Sequence, residues 1–226
     1  MWVVVVRHHE EDSAGFIGDA FEARGAELST LLFPKEGPLP GPDGLAHIVM
    51  LGSTCSVYDQ GEARSWIDEE LAWLRYADAA GMPVLGICFG AQLLTAAFGG
   101  TVEHAGREEI GWVTIESTDP AVIPPGPWLE FHHDRCLPPA QAAVLAWNEL
   151  GVQVFRLGRH LAVQFHPEVD GAQFRLWLDA GGRNEIAQAG LDPDEMLAQT
   201  FAEEPGAAER ADRLVAAALR IAATVW

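Results

Sequence analysis

Four consecutive valines, Val3, Val4, Val5 and Val6, stand near the start of the sequence. β-Branched side chains crowd a helix and suit a strand, and an unbroken apolar run, as opposed to an alternating one, asks for cover on both faces of a sheet. Similar apolar runs lie at 46–51 and 83–87, and 28–33 also reads as a strand. Helix patterns come between them. Phe16, Ile17, Ala20, Phe21 and Ala23 recur at helical spacing, with Ser13 as the expected N-cap and Gly25 as the stop. Residues 65–80 are amphipathic, with Trp66, Ile67, Leu71, Leu74 and Ala77 inward and the acids outward, and 89–98 form a third helix. Strands alternating with such helices predict βαβ units and a three-layer α/β architecture around a mostly parallel, twisted sheet.

From Thr101 the pattern changes. Strand-like runs at 110–116, 143–147, 152–157 and 161–165 are separated by Gly, Pro and Asn turns, and they predict later strands of the same sheet with an antiparallel extension. After Glu168 the chain reads as helices at 172–179 and 207–224 with an acidic connection between them. With 226 residues, 49% of them hydrophobic, the chain has the material for one sizeable core. It is expected to form a single domain, 1–226, with a C-terminal helical extension from about residue 170.

The net charge of −19 repels phosphate backbones and anionic lipid, which argues against nucleic-acid and membrane-surface partners. Three scattered cysteines, Cys55, Cys88 and Cys136, do not make a disulfide scaffold and fit a reducing compartment. The apolar start meets Arg7 too early for a signal-peptide core, and no run reaches the roughly 18 apolar residues of a membrane span. A cytoplasmic location is the expectation.

Chemistry concentrates in two segments. In the first, the apolar strand enters Gly86-Ile87-Cys88-Phe89-Gly90 and passes straight into a helix. This is the pattern of a nucleophile elbow with sulfur in place of the serine oxygen. Glycines flank the turn because a Cβ there would clash, and the helix N-terminus favours thiolate over thiol. In the second, Gln164-Phe165-His166-Pro167-Glu168 follows an apolar strand and sets an imidazole and a carboxylate two residues apart, on one side of extended backbone. Glu168 is placed to accept the Nδ1–H of His166, leaving Nε2 for the proton of Cys88. Each segment alone also fits a structural role, Cys88 as a buried packing residue and His-Pro-Glu as a surface turn.

Together, the two segments resemble the elbow and the His-Pro-Glu signature of the class I glutamine amidotransferases, the triad family that includes the glutaminase domain of GMP synthetase. The resemblance extends through Leu51-Gly52-Ser53-Thr54-Cys55-Ser56-Val57-Tyr58-Asp59 and Phe131-His132-His133-Asp134, and the helical tail from Asp170 resembles stand-alone members. It implies a flavodoxin-like fold, with Cys88 as nucleophile, His166 as base then acid, and Glu168 as the orienting carboxylate. It further implies an oxyanion hole from the backbone N–H groups of Ser53 and Phe89, and contacts to the amino-acid end of glutamine from Gln92 and the main chain around Cys55, Phe131, His133 and Asp134. Two departures stand out. The family's Gly-Gly-Pro loop is Gly52-Ser53-Thr54 here, so a Cβ restricts the oxyanion loop. Its His-Gly-Asp is His132-His133-Asp134, which adds a side chain expected to narrow the pocket.

The implied reaction is hydrolysis of the glutamine side-chain amide through a γ-glutamyl thioester, with ammonia passed to a partner synthetase. The rivals are a self-sufficient hydrolase of γ-glutamyl conjugates and a glutamine-sensing protein without turnover. No cofactor is expected, since no phosphate loop ending in Lys-Ser/Thr is present. Neither is a metal, because His8-His9 and His132-His133 lack the spacing of a structural zinc site. The tryptophans, Trp66, Trp73 and Trp177 among them, are expected in the core.

Overall fold

The computed structural model describes residues 1–223; the expected end of the last helix at Thr224 lies outside them. Among the described residues, ten strands form one sheet. The parallel part follows the order β2 (Glu27–Leu32), β1 (Trp2–Arg7), β3 (Leu45–Met50), β4 (Val84–Ile87) and β10 (His160–Val163). Beyond β10 the sheet continues antiparallel through β9 (Gly151–Leu157), β7 (Trp128–Leu137) and β5 (Thr101–Val113). The hairpin-like pair β8 (Ala143–Asn148) and β6 (Glu116–Ser117) branches from β9.

The valine run shows why three layers form. Val3 and Val5 point into one apolar cluster with Ile17 and Phe21 of α1 (Gly15–Glu22) and with Leu214, Val215 and Ala218 of α6 (Pro193–Ala222). Val4 and Val6 point into the opposite cluster with Ile67 and Leu74 of α2 (Glu62–Ala79) and with Leu93 and Leu94 of α3 (Phe89–Ala97). Successive side chains of one strand thus feed two cores. The C-terminal helices α4 (Gly171–Trp177) and α5 (Arg183–Gln188) flank a π-helical turn at Leu178–Gly182, and with α6 they enclose a third apolar cluster around Phe174 and Ile186. Among the described residues no helix is long and apolar enough to cross a membrane.

Several local expectations need correction. Helix α1 begins at Gly15, and Ala14, not Ser13, is its N-cap; no side chain caps it. The Phe16 N–H instead donates to the Glu168 carbonyl at 3.0 Å, a cap supplied by a distant segment. On α2 the acids do not all face outward, because Glu70 is buried against His8. Strand β5 starts at Thr101, nine residues before the expected run, and β7 was not legible at all. Its buried positions include Glu130, His132 and Asp134, so its alternation is masked by polar residues turned inward. The acidic connection is largely helical: Asp192 caps the N–H groups of Asp194 and Glu195, Pro193 takes the first helical position, and α6 then carries the acids on its exposed side.

Candidate active site

The carboxyl ends of β4 and β10 meet beside each other, with Val163 paired to Ile87. The Cys88 N–H donates to the Val163 carbonyl at 2.8 Å, which ties the elbow to the strand that delivers His166. Cys88 itself adopts φ 50° and ψ −105°, and it is the only residue other than glycine with positive φ among those described. Such a conformation costs about 1–3 kcal/mol and persists only where the surroundings enforce it. They do so through close approach. A Cβ on Gly86 would lie 2.6 Å from the Gly90 carbonyl oxygen, and one on Gly90 only 2.3 Å from that of Met50. Both glycines therefore let helix α3 sit down on strands β3 and β4, while the strained torsion falls on the cysteine.

His166 is buried, with its main chain held by an N–H···O bond of 2.8 Å to Leu129 on β7. Its Nδ1 lies 2.8 Å from Oε1 of Glu168, and its ring meets Trp177 edge to face at a centroid distance of 4.9 Å. Burial opposes charge on this imidazole, but the Glu168 carboxylate and the Cys88 sulfur outweigh it and hold its pKa well above the ordinary histidine value. Glu168 is fixed in turn by α1, since its carbonyl accepts from Phe16 and a Cβ on Gly15 would lie 1.9 Å from that oxygen. A cavity of about 400 Å³ opens above this set. Cys88, His166, Glu168, Gly52, Ser53 and Phe131 line its floor and near wall; Asp12, Glu11, His9, Thr54, Trp177, Ala180, Gly181, Gly182 and Glu185 complete it. The π-helical turn, with Gly181 at φ 129°, supplies the far wall.

The remaining expected site residues fall in different places. Phe89, directly after the nucleophile, is the first residue of α3, where backbone N–H groups lack intrahelical partners. Ser53 borders the cavity, and its Oγ accepts from the Cys55 N–H at 3.2 Å. Gln92 is buried in α3 one turn after Cys88 and does not border the cavity, nor does the half-buried Cys55. Asp134 is buried and accepts from Ser56 Oγ at 2.6 Å and Tyr58 OH at 2.7 Å, tying the loop after β3 to β7. His133 is not among the lining residues; it pairs with Glu185, which is, at 2.6 Å and with Glu108 at 3.5 Å.

His132 has a different role. Its Nε2 lies 3.1 Å from both Glu109 and Glu130, and its Nδ1 lies 2.8 Å from the Asp134 carbonyl. Among the described residues, these three side chains are the ones whose potential ligand atoms gather within 4.8 Å. The Asp134 carbonyl can only accept, so Nδ1 carries a proton, while Nε2 faces the two carboxyl groups. Despite burial, hydrogen bonds to Glu109 and Glu130 push its pKa up to about 10.

Sequence reasoning missed the far wall. Trp177, expected in the core, packs on His166 and donates from Nε1 to Asp12 at 3.0 Å. Glu11, Asp12 and Glu185 make that side of the cavity acidic, and burial raises the Asp12 pKa, with the Trp177 bond opposing it.

The class I glutamine amidotransferase family model matches residues 20–177, and the chain belongs to that family. The glutamine-hydrolysing GMP synthase of Parafrankia sp. strain EAN1pec is 34% identical over 134 residues, covering 55% of this chain and 23% of its own length. That of Synechocystis sp. strain PCC 6803 is 34% identical over 133 residues, covering 54% and 23%. The chain thus spans about a quarter of the length of these curated relatives. Among solved structures, a glutamine amidotransferase from Thermotoga maritima superposes with a TM-score of 0.87 at 25% identity, over 99% of this chain and 98% of that one. One from Methylobacillus flagellatus shares the fold, with a TM-score of 0.85 at 23% identity over 97% and 94%.

Proposed function

We propose that this chain hydrolyses the side-chain amide of glutamine through a γ-glutamyl thioester on Cys88. The observation that carries the reading is the run Cys88, His166, Glu168 along one cavity floor, with the imidazole held between a sulfur and a carboxylate. Sulfur attacks the amide carbon, and the developing oxyanion takes hydrogen bonds from the Ser53 and Phe89 N–H groups. The His166 imidazolium gives its proton to the leaving nitrogen, and ammonia departs. Water then enters, His166 takes its proton, and hydroxide attack on the thioester releases glutamate and restores Cys88. Glu168 keeps the Nδ1–H tautomer throughout. Gln92 and the main chain near Cys55, Phe131, His133 and Asp134 are read as holding the amino-acid end of the substrate, Phe131 from the wall and the others from behind it.

The chain, read as one glutaminase unit, is proposed to pass its ammonia to a partner synthetase, as the likeness to glutamine-hydrolysing GMP synthases suggests. Ammonia release from glutamine by the purified protein, with and without lysate of the source organism, tests this. Cys88-dependent release that rises with a bound partner is the expected result. A second reading has one observation in its favour, the acidic far wall of Glu11, Asp12 and Glu185. It suits a γ-glutamyl conjugate whose amine carries a positive charge. A higher kcat/KM for such conjugates than for glutamine, without any partner, would replace the first reading by the second.

A further inference from the structure

We propose that His8, clamped by Glu70, is the positioning residue that aims the oxyanion donors at the Cys88 site. His8 follows β1, and its Nδ1 lies 2.8 Å from the Gly52 carbonyl oxygen while its Nε2 lies 3.0 Å from Glu70 Oε1. The Gly52–Ser53 peptide is trans, so its C=O and N–H point in opposite directions. Holding the carbonyl on His8 therefore turns the Ser53 N–H to the other side. That side is the cavity: a Cβ on Gly52 would lie 3.0 Å from His166 Cε1 and 3.8 Å from Cys88 Cβ, and Ser53 borders the opening. The serine Cβ in a loop where the family has glycine is thus accommodated without a flipped peptide.

The same ring supports the other donor. His8 meets Phe89, whose N–H begins helix α3, edge to face at 5.2 Å between centroids. Trp66 closes the third side, 5.5 Å from His8 and 5.8 Å from Phe89. Trp66 and Glu70 are one turn apart on α2, so a single helix face grips the imidazole. Both of its partners are acceptors, which requires a proton on each nitrogen. Burial works against that charge, while Glu70, the Gly52 carbonyl and the nearby Asp12 raise the pKa of His8 above its ordinary value. A buried ion pair adds little net stability over an apolar pair of the same size, and Glu70 Oε2 is left without a partner. A positioning role accounts for a charge kept at such a place.

This inference rests on the glutaminase reading, and the test separates the two. Wild type, Cys88→Ala, His8→Leu and His8→Asn are compared by kcat and KM for glutamine and by the rate of Cys88 alkylation with iodoacetamide, a displacement at saturated carbon that develops no oxyanion. His8→Leu is expected to lose about a hundredfold in kcat, the scale of one missing oxyanion donor, with KM and alkylation unchanged within about threefold. His8→Asn, whose amide N–H reaches the same carbonyl, is expected to recover most of the rate. Should His8→Leu not fold, Glu70→Ala is read in the same assays with an expected loss of about tenfold in kcat. Unchanged kcat in the folded variants, or alkylation falling in step with kcat, overturns the role of His8. Wild type that shows no Cys88-dependent release from glutamine overturns the reading of the site itself.

Discussion

Two histidine and glutamate pairs in this protein share one local pattern, a spacing of two residues, and serve opposite ends. His166 and Glu168 follow β10; Glu130 and His132 lie within β7. In both, an imidazole nitrogen sits about 3 Å from the carboxylate, at 2.8 Å in the first pair and 3.1 Å in the second. What differs is the remaining side of each ring. His166 leaves its second nitrogen toward Cys88 and the cavity, whereas His132 gives Nε2 to Glu109 as well and Nδ1 to the Asp134 carbonyl. One pair is open to the cavity and the other is saturated. Position relative to the strand ends decides this: β10 stops at Val163 and frees the following residues, while β7 continues through His132, which is paired there with Glu109 of β5.

The largest expected effect breaks the open pair at its sulfur. Cys88→Ala should lower ammonia release by at least about 10⁴-fold while circular dichroism and the unfolding midpoint stay near wild type, since alanine keeps the buried Cβ and removes only the sulfur. A glutamine-like chloroketone should label Cys88 and leave Cys136, whose thiol burial pushes up to about 12, unmodified by peptide mapping. Next comes Glu168→Gln, expected to cost about 10² to 10⁴-fold in kcat with little change in fold, because it disturbs the tautomer of His166. Equal activity in that variant would make the two pairs equivalent.

The closed pair should respond in stability and not in rate. His132 has a raised pKa, so its contribution is complete below the unfolded value near 6.5, declines as pH rises, and is gone above about 10. Thermal melts between pH 6 and 10.5 should therefore show a fall in wild type that is smaller in His132→Gln, with kcat of the folded variant within about threefold of wild type. Smallest of all is Ser53→Gly. Because the Gly52 carbonyl is already held by His8, the donor is in place, and the rate should change by less than about threefold. An increase of tenfold or more would show that the serine holds the loop in an inactive arrangement.

The sequence by itself determined what short stretches of chain settle alone. The valine run and the apolar strands at 46–51 and 83–87 set a sheet covered on both faces. Gly86-Ile87-Cys88-Phe89-Gly90 set an elbow, because the close contacts that exclude a Cβ arise within one strand, its neighbour and the next helix. Tertiary structure alone decided the rest. β7 was hidden because its inward residues are polar and become compatible with burial only after Glu109, Asn148 and Gln153 arrive from other strands. Trp177 carried the signature of a core residue, and only the return of α4 beneath the loop containing Asp12 turned it toward His166. His8 and Glu70 are 62 positions apart, and nothing local marks an acid on an amphipathic helix as the one that will be buried. Hydrogen bonds between distant segments leave no periodicity in the sequence, whereas apolar burial by strands and helices does.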